Sequence, residues 1–313
     1  MDNTILVALG GNALAPGETT GDIHEQFALA RAALRTVMPF IRRGCRLAIT
    51  HGNGPQVGEE LLRAELAADR VPPLPLGVCV AATQGSMGYM IEQSLQNALI
   101  DEDIQRDVVS LITQVVVEAD DPALKSPSKF IGDRYSQERG QRLAERFGWN
   151  IAEQEAGVWR RQVPSPTPIR LINGQSIRHL VDMDSIVIAS GGGGIPAYIM
   201  DNGHYEGVDA VVDKDLTAAV LGSDIGAQEM YILTDVPEVY LHFRTARQQP
   251  VRRMSLRQAH EYLDDGHFQP GSMGPKIEAA IQFLHKGGEK VVVTNIDTIE
   301  QTLAGEGGTT IHL

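Results

Sequence analysis

The sequence predicts an α/β protein built on a largely parallel sheet. Three short apolar segments, at residues 4–9, 46–50 and 185–189, each run directly into a turn rich in glycine. Strands that are apolar along their whole length are typical of parallel sheets covered on both faces. Helical patterns follow the first two turns, as in doubly wound folds, where ligands bind at the carboxyl ends of the strands.

The first third of the chain supplies these elements in a regular order. After the first strand, apolar residues recur at helical spacing from about residue 25 to residue 43, and Gly44 is typical of a helix C-terminus. The second strand leads to a helix from residue 56 to about 69. A further helix is predicted from residue 83 to about 101, and the alternation that follows predicts one strand from residue 108 to 117.

The character of the sequence changes between about residues 118 and 168. Proline-rich turns and charged pieces replace the long apolar runs there, and we interpret this stretch as an inserted subdomain. Residues 170–181 are predicted to be mostly helix, leading back to the strand at 185–189. The remaining predictions are a helix at 213–221, a strand at 229–233, a helix at 255–264, a helix introduced by residues 270–276 and closed at 287–288, and a strand at 290–294.

Composition excludes several classes of protein. The net charge of −13 and the absence of a clustered basic face argue against a nucleic-acid partner. No apolar run reaches membrane-spanning length and no apolar signal segment follows Met1, so we expect no membrane partner and a cytoplasmic location. Cys45 and Cys79 lack metal-ligand spacing and are expected to be buried free thiols.

The candidate chemistry lies in four glycine turns, at residues 10–11, 52–54, 191–194 and 271–274. The dinucleotide fingerprint G-x-G-x-x-G is absent after the first strand, which disfavours a dehydrogenase, and the Walker motif is absent too. Glycine turns with nearby lysines suit an anion whose charge shifts during reaction. Phosphoryl transfer requires little more than such positioning, cations and usually Mg²⁺.

Lysine is scarce in this chain, with six lysines among 27 basic residues, and we single out Lys129, Lys214 and Lys276, which lie close to Pro or Asp. Lys129 could be a solvated loop cation, and Lys214 could form only a surface ion pair of little energetic value. Lys276 is predicted at a helix start, where a cation is unfavourable for the helix dipole, and this favours a functional reason for its presence.

Seven segments together resemble the motifs of a known family. One is Thr50-His51-Gly52-Asn53-Gly54-Pro55-Gln56-Val57-Gly58, and another is Val208 to Asp215. The others are residues 7–14, 83–85, 160–166, 191–196 and 271–276. They are similar to carbamate kinase motifs and follow that family's order from residue 5 to about residue 294. Carbamate kinases belong to the amino-acid kinase superfamily.

The resemblance implies a three-layer αβα sandwich with a small protruding subdomain at about 118–168. It implies one domain over 1–313, with a carbamate-binding and dimerisation lobe at 1–208 and a nucleotide lobe at 209–313, in a homodimer. The implied reaction is ATP + carbamate ⇌ ADP + carbamoyl phosphate, working toward ATP in a catabolic route. Mg²⁺ is expected with the nucleotide, because the phosphates would otherwise face Asp213 and Asp215 uncompensated.

The resemblance also assigns residues. Relatives such as acetylglutamate kinase carry a lysine where this chain has Ala8, and a lysine of the protruding subdomain, here Lys129, replaces its charge. The implied catalytic residues are Lys129, Lys214, Lys276 and Asp215, the last holding the lysines. The implied substrate residues are Gly10, Gly11, Asn12, Gly52, Asn53, Gly192 and Gly193. The implied nucleotide residues are Asp209, Lys214, Thr234, Asp235, Tyr240, Met273, Gly274 and Lys276. His51 is interpreted as structural or adjacent to the substrate.

Two loops depart from the family pattern and keep alternatives open. The family usually reads Pro-Ile-Gly-Pro after the lysine, where this chain has Phe130-Ile131-Gly132-Asp133, and Pro237-Glu238 is unusual in the nucleotide-side motif. One alternative is a paralogous kinase that phosphorylates another small carboxylate or a phosphonate. Another is a non-catalytic nucleotide-binding regulator, against which the presence of all three lysines and Asp215 argues.

Overall fold

The structure is a computed structural model that describes residues 3–11, 14–15, 21–269 and 271–313. Its strands are β1 (Thr4–Leu9), β2 (Arg46–His51), β3 (Val108–Ser110), β4 (Gln114–Val116), β5 (Lys129–Tyr135), β6 (Asn150–Glu155), β7 (Val158–Val163), β8 (Arg170–Leu171), β9 (Ile186–Ile188), β10 (Ile195–Ile199), β11 (Tyr205–Gly207), β12 (Glu229–Thr234), β13 (Val239–Leu241), β14 (Gln249–Val251), β15 (Arg253–Ser255), β16 (Lys290–Asn295) and β17 (Thr309–His312). Its helices are α1 (Ile23–Leu34), α2 (Met38–Arg42), α3 (Gly54–Ala67), α4 (Leu76–Asp101), α5 (Gln137–Phe147), α6 (Gly174–Asp182), α7 (Lys214–Asp224), α8 (Leu256–Asp264), α9 (Met273–His285) and α10 (Ile299–Leu303).

The main sheet runs in the order β15-β17-β16-β12-β1-β2-β9-β3. Its strand pairs are parallel except that of β16 with β17. The three apolar segments identified in the sequence therefore form β1, β2 and β9, which lie side by side. Because these strands point the same way, the glycine turns that follow them meet at one edge of the sheet.

Alternate residues of β1 face two separate hydrophobic cores, one on each face of the sheet. Leu6 and Ala8 pack with buried residues of α6, α7, α8 and α9. Ile5, Val7 and Leu9 pack with those of α1, α2 and α4. Helices therefore cover both faces of a largely parallel sheet, which confirms the predicted layered α/β fold.

The single helix predicted over residues 25–43 is wrong, because the structure has α1 and α2 separated by a turn at 35–37. Pro39 lies in the first turn of α2, where its missing N–H has no intrahelical partner to lose. In one continuous helix Pro39 would clash with the carbonyl four residues earlier. The proline therefore breaks the helix, although the apolar spacing continues through it.

The single strand predicted over residues 108–117 is also wrong, since the chain forms β3 in the main sheet and β4 in a second sheet ordered β11-β10-β4-β8. Thr113 lies between the two strands, and its backbone N–H donates to Gln84 Oε1 while its carbonyl accepts from Gln84 Nε2. This side chain of α4 redirects the chain toward the second sheet. Similarly, residues 170–181 begin with β8, and their helix, α6, starts only at Gly174.

Residues 129–163 form an antiparallel sheet, β5-β7-β6, together with α5. This unit is held to α3 through Glu65, whose carboxylate accepts from Tyr135 Oη at 3.1 Å and Arg139 Nη2 at 2.8 Å. The division of the chain into lobes and an inserted subdomain stays a prediction. Cys45 and Cys79 are buried free thiols, as predicted, and no helix of the described ranges is long and apolar enough to cross a bilayer.

Candidate active site

The first two glycine turns lie against each other at the ends of β1 and β2. Leu9 and His51 are partners in the parallel register, and the N–H of Gly52 donates to the carbonyl of Leu9 at 3.1 Å. A Cβ on Gly52 would lie 2.9 Å from the Cα of Gly11, and one on Gly10 would lie 2.8 Å from the carbonyl oxygen of Leu233. Only glycine allows the backbones to approach this closely. Asn12, predicted to bind substrate, lies outside the described residues.

The third turn, residues 191–194, closes over the same place. Gly192, Gly193 and Gly194 have φ values of 66°, 92° and 81°, so the backbone follows a left-handed path that disfavours side chains. A Cβ on Gly192 would lie 2.2 Å from Asn53 Nδ2, and one on Gly193 would lie 2.2 Å from the carbonyl oxygen of Val212. The predicted substrate residues of the second and third turns are therefore brought together.

Side chains from three different elements hold the third turn in place. The hydroxyl of Thr50 donates to the carbonyl of Ser190 at 3.0 Å, and Gln84 Nε2 donates to the carbonyl of Gly191 at 3.0 Å. The hydroxyl of Thr217 in α7 donates to the carbonyl of Gly193 at 2.9 Å. These bonds fix the loop relative to β2, α4 and α7, so its backbone is positioned before any ligand binds.

Asp215 lies at the start of α7 and joins two of the predicted lysines. Lys214 Nζ is 2.6 Å from Asp215 Oδ1, and Lys276 Nζ is 3.0 Å from Asp215 Oδ2. Burial raises the pKa of this carboxyl, but the two ammonium groups outweigh burial and lower the pKa to about 2. The carboxylate is thus ionised and fixes both cations at one place, as the family resemblance implied.

Lys129 reaches the same helix from the other side. It is the first residue of β5, and its Nζ lies 2.9 Å from Asp213 Oδ2. Asp213 is the N-cap of α7, and its Oδ1 accepts from the N–H groups of Asp215 and Leu216. The three lysines therefore gather at one helix N-terminus, where phosphate is favoured.

A cavity of about 510 Å³ opens beside the paired lysines. Its lining includes Gly10, Gly11, Lys214, Lys276, Thr234 and Asp235, so it extends from the first glycine turn to the end of β12. Met273 and Gly274 form the first turn of α9, whose Lys276 enters the cavity. Tyr240 lies on β13 with its hydroxyl donating to Glu238 Oε1 at 3.3 Å. The nucleotide-binding roles of these residues stay predictions.

Asp209 has a structural environment that the sequence did not indicate. Its Oδ2 lies 2.5 Å from Arg161 Nη2, and its Oδ1 accepts from the backbone N–H of Leu76 at 3.0 Å. The guanidinium of Arg161 also lies 4.6 Å from the centre of the Trp149 ring. Both carboxylate oxygens of Asp209 are therefore engaged in joining β7 to the start of α4.

The acidic residues of the site do not form a cage for a metal ion. Among the described residues, no group of three or more His, Cys, Asp or Glu side chains could hold one. Asp213 and Asp215 are each paired with lysine. This donor set fits a divalent ion held chiefly by nucleotide phosphates rather than by protein carboxylates.

Comparison with known proteins accounts for this constellation. The model of the amino acid kinase family matches residues 3–295. This chain belongs to the amino acid kinase family. Within the family it is 40% identical to a carbamate kinase of Pyrococcus furiosus over 313 residues, covering 99% of each chain. The resemblance to carbamate kinases seen in the sequence is confirmed.

Solved structures of the amino acid kinase fold agree with this assignment. A carbamate kinase from Giardia lamblia bound to AMP-PNP superposes with a TM-score of 0.92 at 34% identity, covering 99% of this chain and 98% of that one. A crystal structure from Aeropyrum pernix K1 superposes with a TM-score of 0.94 at 36% identity, covering 99% of both chains.

Several residues of the site were not singled out in the sequence. They are Thr50, Gln84 and Thr217, which hold the glycine loop. Thr50 and Gln84 lie inside segments that resemble family motifs, such as Thr83-Gln84-Gly85, whereas Thr217 lies just after the segment that ends at Asp215. Their roles depend on partners far away in sequence, which no local pattern shows.

Proposed function

We propose that this protein is a carbamate kinase, which transfers a phosphoryl group reversibly between ATP and carbamate. The observation that carries the proposal is the arrangement of Lys214 and Lys276 on one buried carboxylate, Asp215, beside a cavity and the first glycine turn. Cations fixed in advance stabilise the charge on a transferring phosphoryl group without reorganising during the reaction. Their place at the N-terminus of α7 adds the favourable field of a helix dipole.

The reaction then requires only that the attacking oxygen, the phosphorus atom and the leaving group are aligned. In the ATP-forming direction, an oxygen of the ADP β-phosphate attacks phosphorus, the bond from phosphorus to the carbamoyl oxygen breaks, and carbamate leaves as an anion. No proton must be moved at the reacting atoms, which agrees with a site that has lysines instead of a general base. Burial lowers the pKa of His51 to about 4, with a smaller contribution from Lys214. His51 is therefore neutral and too weak a base to act as a general base.

The ATP-forming direction is supported by the chemistry of the acyl phosphate. Carbamoyl phosphate is a mixed anhydride, from which phosphoryl transfer to ADP is favourable. The nucleotide is expected to carry Mg²⁺, since ATP and ADP bind divalent ions through their phosphates. We place the protein in the cytoplasm, where thiols such as Cys45 and Cys79 stay reduced.

Lys129 is proposed to complete the site from the protruding subdomain. Ala8 leaves the first glycine turn without a cation, and the ammonium of Lys129 already lies 2.9 Å from the N-cap of α7. A short movement from Asp213 would bring this ammonium to a phosphate at the same helix N-terminus. Binding of carbamoyl phosphate would thus replace a carboxylate by the substrate as the partner of Lys129.

We also propose a homodimer formed through α4. This helix exposes a stripe at helical spacing, while its opposite face is buried. The stripe includes the apolar residues Val78, Ala82, Tyr89 and Ile100 together with Gly85, Ser86, Gln93 and Asn97. Exposed apolar side chains along one face of a long helix suit isologous packing against a second copy. Sedimentation of the wild type and of Tyr89→Glu would test the proposal, and a wild type that sediments as a monomer at micromolar concentration would contradict it.

The function itself is tested by mixing the protein with ADP, Mg²⁺ and carbamoyl phosphate and following ATP formation. Lys286→Ala is a suitable control, because Lys286 lies at the opposite end of α9 from the site. A wild-type protein that forms no ATP in this assay would overturn the proposal. ATP formed from other acyl phosphates but not from carbamoyl phosphate would identify the paralogous kinase instead.

A further inference from the structure

His51 lies where the second and third glycine turns meet. It is the last residue of β2, and Gly52 and Asn53 follow it. His51 is only 1% exposed. A Cβ on Gly191 would lie 2.5 Å from His51 Nε2 and 2.6 Å from Cε1. The imidazole edge that carries Nε2 is therefore directed at the glycine loop of the proposed carbamate site.

The hydrogen bonding of the ring leaves one nitrogen as a free acceptor. Nδ1 is 3.0 Å from the carbonyl oxygen of Gly52, which can only accept, so Nδ1 carries the hydrogen. The neutral ring then presents the lone pair of Nε2. Nothing in the described ranges donates a hydrogen bond to this atom.

An unfilled acceptor is unusual at a site for an anion. The neighbouring groups include the backbone of the glycine turns and the Lys214 ammonium, which helps lower the pKa of His51. Such groups bind the oxygens of a carboxylate or phosphate, but an acceptor would repel them. An acceptor that a bound ligand shields from water without offering a donor is costly, and so His51 Nε2 favours a ligand that supplies a donor.

Carbamate supplies such a donor, since its amino group distinguishes it from acetate, which has a methyl group of similar size. We infer that His51 Nε2 accepts a hydrogen bond from the amino group of carbamate and of carbamoyl phosphate. His51 is thereby a specificity-determining residue of the proposed reaction. The inference rests on the proposed function and adds to it the group that recognises nitrogen.

The test compares carbamoyl phosphate with acetyl phosphate as phosphoryl donors to ADP. The readout is the ratio of the two kcat/KM values, because losses of folded protein or of phosphoryl-transfer ability cancel in it. Wild type should prefer carbamoyl phosphate, and His51→Leu should lower the ratio by roughly tenfold or more, since it removes the acceptor. His51→Gln keeps an acceptor oxygen and should hold the ratio within a few-fold of wild type.

Lys286→Ala is the control, because Lys286 lies at the opposite end of α9 from the site. It should leave the ratio at the wild-type value. A wild type without preference, or a ratio unchanged in His51→Leu, would overturn the inference alone. If His51→Leu does not fold, the wild-type ratio and His51→Gln still decide. A wild type that makes no ATP from carbamoyl phosphate would instead overturn the proposed function.

Discussion

Asp213 and Asp215 lie two residues apart at the start of α7, yet they hold lysine in different surroundings. The Asp215 side chain is 6% exposed and its partners Lys214 and Lys276 are 13% and 15% exposed. Asp213 is 16% exposed, and its partner Lys129 is 39% exposed and comes from β5 of the β5-β7-β6 sheet. The first group is a fixed buried cluster, whereas the second is a screened pair between two units.

The comparison separates two uses of the same chemistry. A buried carboxylate with two ammonium groups keeps its charges in one arrangement, because breaking it would leave an uncompensated buried charge. A partly exposed pair contributes at most about 1 kcal/mol after solvent screening, so substrate binding can readily replace it. We therefore expect Lys214 and Lys276 to act as permanent parts of the site and Lys129 as a part that changes partner.

The largest effect is expected from the fixed cluster. Lys214→Ala and Lys276→Ala should each lower the rate of ATP formation by roughly a hundredfold or more, since a charge contact to the transition state in a dry site is worth about 3–4 kcal/mol. Circular dichroism should show a folded protein in both cases. Lys286→Ala, outside the site, should keep wild-type turnover. A Lys214→Ala or Lys276→Ala enzyme with nearly normal turnover would refute this assignment.

A smaller and more selective effect is expected for Lys129→Ala. It should lower kcat/KM for carbamoyl phosphate by roughly tenfold or more. The site would then lack the positive charge that Lys129 supplies in place of a lysine at position 8. Binding of ADP, measured by calorimetry, should change far less, since Lys129 does not line the cavity beside Lys214 and Lys276 that we propose for the nucleotide. Adding Ala8→Lys should recover part of the loss. Intact turnover of carbamoyl phosphate in Lys129→Ala would show that the subdomain lysine takes no part.

Removing the charge of Asp213 should improve the binding of carbamoyl phosphate, which is the opposite of the effect expected for Lys129→Ala. Asp213→Asn keeps an N-cap acceptor for α7 but loses the partner of Lys129, so KM for carbamoyl phosphate should fall a few-fold. Asp213→Ala serves as the control, since it loses the cap as well and should lower the free energy of unfolding by about 1 kcal/mol. A KM that rises in Asp213→Asn would mean that Asp213 positions Lys129 rather than competing for it.

The buried cluster should also appear in the pH dependence of stability. The folded-state pKa of Asp215 is lowered to about 2 from an ordinary value of 3.8. Its contribution is therefore present above pH 3.8 and is lost as the pH falls toward 2, amounting to about 2 kcal/mol. Urea unfolding of the wild type and Asp215→Asn between pH 5 and 2 would measure it. Parallel curves for the two proteins would contradict the assignment.

The sequence by itself determined the frame of the protein. The mostly apolar segments at residues 4–9, 46–50 and 185–189 form β1, β2 and β9, because a strand whose successive residues are apolar is buried on both faces of its sheet. The glycine turns after them then lie at one edge of a parallel sheet. The local pattern Asp213-Lys214-Asp215 likewise predicted a helix start, since aspartate caps the first N–H groups.

Only the tertiary structure decided which side chains meet. Lys129 and Asp213 are 84 positions apart, and Asp209, expected near the nucleotide, pairs with Arg161, 48 positions away. Spacing along the chain cannot show such partners, because they are set by how the β5-β7-β6 sheet packs against the rest of the fold. The free nitrogen of His51 has the same origin: a histidine in a sequence is only a possible acceptor, and burial against Gly191 with Nδ1 bound to Gly52 makes it one.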